Sequence, residues 1–254
     1  MLKRTTLFSA LAMVASSALA APEFDRFGEL SQADFGGSGI PNDAVAISDF
    51  RSDFGFGTVG LSAAQRFDSP TVTDDGAGTF FANPGESDPG LSLWNFNFYM
   101  SANASFAAPG DVETDEIQPE PIPGGLMFQV QYDINPGSGS DIGTIDIPVL
   151  FDDEGLFEFQ GSQNLGFNYL NEGGVPGVTP PDGSFDPFAV GLYEFTLVAF
   201  DSGNPDMGNE DLELARSTIN VQVGDPAEVP LPATLGLFGL GLLALGAARL
   251  RRRS

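Results

Sequence analysis

Apolar and polar positions alternate at period two in four stretches of this chain. From Trp94 onward, apolar Trp94, Phe96, Phe98 and Met100 alternate with a set that includes polar Asn95, Asn97 and Ser101. Further on, Phe128, Val130 and Tyr132 alternate with Met127, Gln129 and Gln131. Tyr193, Phe195, Leu197 and Ala199 oppose Glu194, Thr196, Val198 and Phe200. Near the end, Leu214, Arg216, Thr218, Asn220 and Gln222 oppose Ala215, Ser217, Ile219, Val221 and Val223. Successive side chains of a strand point to opposite faces, so each stretch predicts a strand with one buried and one wet face. The last two, joined by the turn-rich acidic segment between Asp201 and Glu213, predict an antiparallel pair.

Weaker signals fill the gaps. A parity change between Leu93 and Trp94 predicts a β-bulge. The stretch from Ile142 into the Asp152 region reads as one strand and residues 156–170 as two short ones. Residues 22–90 are rich in Gly and predict only short strands between turns such as Asp74-Asp75-Gly76. Residues 108–125, rich in Pro and acids, read as a loop or linker. Upstream of residue 230 there is no sustained helical period. The expected fold is all-β: an antiparallel β-sandwich of immunoglobulin-like or jelly-roll type over residues 21–224.

The two ends follow other patterns. Residues 1–20 have Lys3 and Arg4, an apolar run from Leu7 to Val14, and small residues at Ala18 and Ala20. This is the layout of an N-terminal signal helix, cut after Ala20 during Sec export. Residues 231–248 carry no charge and are followed by Arg249, Arg251, Arg252 and Arg253. As a helix those 18 residues would be about 27 Å long, close to a bilayer core of about 30 Å. The arginines predict a transmembrane helix with its end in the cytoplasm and the preceding domain outside.

Composition narrows the chemistry. The formal net charge is −25, and residues 21–229 hold all 35 acids against Arg26, Arg51, Arg66 and Arg216. Such a surface repels phosphate backbones, which excludes nucleic acid as a partner. The chain has no Cys and no His, and its one lysine is Lys3. Ser-His and Cys-His nucleophiles, His or Cys zinc sites and Schiff-base lysines are therefore absent from residues 21–224. Catalysis would have to rest on Asp and Glu, as in glycoside cleavage. Oxygen-rich loops could instead hold calcium; Asp201, Asn204 and Asp206 are the candidate ligands, with Asp152, Asp153 and Glu154 as a second cluster. No other cofactor is expected. Trp94 and its aromatic neighbours suit either core packing or stacking on sugar rings.

Two resemblances add to this reading. Residues 191–224 resemble the closing strands of immunoglobulin-like and cadherin-like sandwiches, which implies that Tyr193 packs at a corner and Asp201 begins the loop before the final strand. The tail, Val229-Pro230-Leu231-Pro232-Ala233 followed by a Gly/Leu run and an arginine cluster, resembles the VPLPA variant of PEP-CTERM sorting signals. Here Pro230-Leu231-Pro232 stands in place of Pro-Glu-Pro. That resemblance makes residues 225–254 a sorting segment and an exosortase-type protease the processing partner. It further implies a precursor in the inner membrane of a Gram-negative bacterium, then a protein at the cell surface or in an exopolysaccharide matrix. The expected function is a noncatalytic surface or matrix protein engaging exopolysaccharide or calcium. The alternatives are a carbohydrate-active enzyme using Asp or Glu, and an ectodomain that stays anchored.

Overall fold

The computed structural model describes residues 21–52, 55–104, 125–136, 142–150, 152, 155–201 and 212–224. Their elements are β1 (Arg26–Gly28), β2 (Val45–Ser52), β3 (Gly55–Gln65), β4 (Thr73–Asp74), β5 (Thr79–Ala82), β6 (Glu86–Asp88), β7 (Leu91–Ser92), β8 (Trp94–Ala104), β9 (Leu126–Asp133), β10 (Ile142–Pro148), β11 (Leu156–Gln163), α1 (Asn168–Glu172), β12 (Val178–Thr179), β13 (Gly191–Asp201) and β14 (Leu212–Val223). One sheet runs β1-β2-β3-β8-β11 and the other β12-β10-β9-β13-β14-β5-β4, with β6 and β7 a separate ribbon. Every pairing is antiparallel except β14 with β5. The signal segment 1–20, with Ala18 and Ala20, and the tail 225–254 lie outside the described residues. Among the described residues no helix is long and apolar enough to cross a membrane.

The two sheets meet through the apolar parity of the strands. Trp94, Phe96, Phe98 and Met100 of β8 and Phe128, Val130 and Tyr132 of β9 are all buried, as are Tyr193, Phe195 and Leu197 of β13 and Ile219, Val221 and Val223 of β14. They form one core with Leu61 and Val59 of β3. Rings bridge the sheets: Phe96 stacks on Phe195 at 4.7 Å and Phe50 meets Phe128 edge-on at 6.0 Å. At one side β2 and β14 are tied directly, with the Ser48 hydroxyl donating to the Arg216 carbonyl and the Ser217 hydroxyl to the Ala46 carbonyl. On the inner face Gly143 sits opposite Tyr132, where a Cβ would lie 2.3 Å from the tyrosine ring. The ring occupies that space, so Gly143 is a packing residue.

Three sequence expectations need correction. β2 and β3 are long strands, where the Gly content predicted short ones. The glycines of β3 are clearance: a Cβ on Gly60 would meet Leu30 and one on Gly57 would meet the Phe50 ring. Leu30 belongs to a second small core, in which residues 29–44 lay Leu30, Ala33 and Phe35 on the outer face of this sheet against Val45, Ile47 and Tyr99. The side-chain oxygen of Gln160 fastens that cover by accepting the N–H groups of Asp34 and Phe35. Second, the parity change at Leu93 marks a break between β7 and β8, not a bulge. Third, residues 156–170 form one strand and the start of a five-residue helix rather than two strands.

That break is held by Asn164, which is fully buried. Its oxygen accepts the N–H groups of Ser92 and Gly166, both at 3.0 Å, and its amide donates to the carbonyls of Ser92 and Trp94 and to Asn95. Leucine has nearly the same size but would orphan these buried groups, each at a cost of about 1–3 kcal/mol. Asn164→Leu is expected to lower the unfolding free energy by at least about 3 kcal/mol in urea titrations.

Candidate functional site

Asp201 closes β13, half-buried and paired with Leu126 and Leu212. Its proposed co-ligands Asn204 and Asp206 lie outside the described residues, as do Asp153 and Glu154. Asp152 caps a turn: its carboxylate accepts the Leu156 N–H at 2.7 Å and its carbonyl the Gly155 N–H. Among the described residues no group of three or more acids is placed to hold a metal ion. Trp94 is a core residue, 2% exposed and edge-on to Tyr193 and Phe195, so it offers no ring to a sugar. Tyr193 does pack at a corner. It is buried against Trp94 and Phe185, and its hydroxyl donates to the Ala189 carbonyl four residues upstream. All four tyrosines are shifted upward by desolvation, Tyr169 to about 12.

A groove that the alternation pattern did not single out lies on the outer face of the seven-stranded sheet. It has a volume of about 270 Å³ and is lined by Gln129, Gln131, Val198, Phe200, Glu213 and Arg216. Strand register builds it in rows. One row across β10, β9, β13 and β14 is Asp146, Gln129, Val198 and Arg216. The next is Thr144, Gln131, Thr196 and Thr218, and on the other side Met127, Phe200 and Glu213. Within rows Gln129 donates to Asp146 at 2.7 Å and the Thr196 and Thr218 hydroxyls meet at 3.0 Å, and Gln131 links the two rows by donating to Gln129 at 2.7 Å.

The arginine depends on an irregularity. Residues three apart in a strand point to opposite faces, yet Glu213 and Arg216 form a two-point ion pair on one face. The register slips beside Ala199 and Phe200, so that Leu214 is the extra residue between Glu213 and Ala215. Leu214 and Ala215 both turn to the core, and the residues flanking them both turn out. Such a bulge re-aims a side chain. The paired carboxylate pins the guanidinium plane and pushes the Arg216 pKa up. The site therefore has a planar, charge-compensated arginine, two linked amides and a floor of Val198 and Phe200. The signal in the sequence was the presence of Val198 and Phe200 in an otherwise polar parity set.

A family model described as the PEP-CTERM protein-sorting motif matches residues 228–253. It contains Val229, Pro230, Leu231, Pro232 and Ala233 and the arginines Arg249 and Arg251 to Arg253, and it marks the chain as an exported protein targeted to an exosortase. No curated protein and no solved structure matches the chain.

Proposed function

We propose that this chain is a secreted precursor whose tail is cut near Val229–Ala233 by an exosortase-type protease, and whose residues 21–224 then act at the cell surface or in the matrix as a noncatalytic binding domain for exopolysaccharide. The observation that carries this reading is the placement of the motif. The last described contact is the Gly224 N–H on the Ala82 carbonyl, and the sorting motif begins at residue 228. Cleavage there would release the domain with both sheets intact. The five residues from Gly224 to Val229 span at most about 18 Å, so the domain is held close to the protease that acts on it.

An immunoglobulin-like wiring of the domain is supported by β14, which is antiparallel to β13 and parallel to β5, and by the Tyr193 corner. The noncatalytic reading is supported by a sequence without His or Cys and with no lysine beyond Lys3.

The intact mass of the protein extracted from cells tests the processing. Loss of the residues beyond the motif is expected, and a retained Arg253 would overturn the reading in favour of a permanent anchor. Replacing both Pro230 and Pro232 with alanine should leave the full-length precursor as the main species on the same mass spectrum, because the motif that the protease reads is then lost.

A further inference from the structure

We propose that the groove on the outer face of the seven-stranded sheet is a binding site for a neutral, hydroxyl-rich glycan, held by Gln129, Gln131 and Arg216 over Val198 and Phe200. The proposal rests on the matrix-binding reading above and adds the site and the ligand class. The bulge at Leu214 puts Glu213 against Arg216 on the groove face. Glu213 takes the Nε and Nη2 hydrogens of the guanidinium, and among the described residues Nη1 makes no hydrogen bond. Gln131 donates its amide to Gln129, and among the described residues its own oxygen accepts no hydrogen bond. The groove thus offers a donor and an acceptor from the two strands that flank β13.

Vicinal sugar hydroxyls need such alternating donors and acceptors, and planar amide and guanidinium groups serve two hydroxyls at once. The apolar floor suits the C–H face of a pyranose ring. Charge selects among glycans. The one cation in the groove is compensated by Glu213, and Asp146 lies in the same row. An anionic polymer such as a polyuronate would meet a surface with 35 acids and no free positive partner here. A peptide strand would need an open sheet edge to pair with, and this site is a sheet face.

The test uses the exported protein with a panel of neutral hexasaccharides (gluco-, manno- and N-acetylglucosamine oligomers) and a hexuronate, read by calorimetry and by the side-chain amide NMR signals of Gln129 and Gln131. Saturable binding of at least one neutral oligomer is expected, with both amide signals moving and no response to the hexuronate. Gln131→Ala is expected to weaken that binding about tenfold. Glu213→Gln frees the guanidinium and is expected to weaken neutral binding while creating affinity for the hexuronate. No neutral binding at millimolar concentration would overturn the proposal. So would binding that leaves the two amide signals unmoved and survives Gln131→Ala unchanged. Either result would leave the processing reading standing, because the tail mass is measured independently.

Discussion

Phe96→Ala is expected to destabilise the domain by about 3–5 kcal/mol, the largest effect of any single substitution considered for this fold. Phe96 is fully buried near the start of β8, between the two sheets. Its ring stacks on Phe195 at 4.7 Å and faces Tyr132 at 6.3 Å, while Trp94 packs on Phe195 from the side. Deleting it removes a transfer contribution and leaves a cavity whose walls are rings on strands locked by register, so collapse is limited. Trp94 is the one tryptophan of the chain and reports unfolding by fluorescence. Phe67 supplies the contrast. It is 78% exposed, and Phe67→Ala should move the urea midpoint by no more than about 0.5 kcal/mol equivalent. Equal shifts for the two variants would contradict the packing described.

The second large effect is an alkaline transition. The chain has four tyrosines, and burial raises the pKa of each, with Tyr132 and Tyr193 fully enclosed in the core. The Tyr132 hydroxyl is further committed to the Leu170 carbonyl. A raised folded pKa means that the unfolded chain releases the proton first. The stabilisation is complete below the ordinary tyrosine pKa near 10 and is lost as pH rises through and beyond it. For Tyr132 and Tyr193 together the unfolding free energy is expected to fall by about 2.7 kcal/mol per pH unit above pH 10. Ultraviolet titration at 295 nm should show less tyrosinate at pH 10.5 in the native protein than in the urea-unfolded chain. The signal should then appear in one step that coincides with loss of Trp94 fluorescence structure. Gradual ionisation before unfolding would sink this expectation.

The alternation pattern was a sound guide wherever a strand was regular. The apolar sets of β8, β9 and β13 read from sequence are the residues that meet in the core. It failed where a residue's role depended on what lay above it. Gly57 and Gly60 look like turn residues in one dimension, but they make room for Phe50 and Leu30, which arrive from elsewhere in the chain. Leu214 was grouped with Arg216 by parity, and the bulge sent it to the opposite face. The pattern around Trp94 suits a sugar platform as well as a core, and Tyr193 and Phe195 of the second sheet cover its ring.

The sequence by itself determined the all-β class, the core parity of the regular strands and the sorting address at residues 228–253. These are written in local periods and contiguous motifs, because a strand's facing and a protease's recognition segment are local properties. Only the tertiary structure decided that β14 would lie parallel to β5, that residues 29–44 would cover one sheet, and that Gln129, Val198 and Arg216 would stand in one row. Those facts depend on register between strands far apart in the chain, and register is settled by the packing of whole faces.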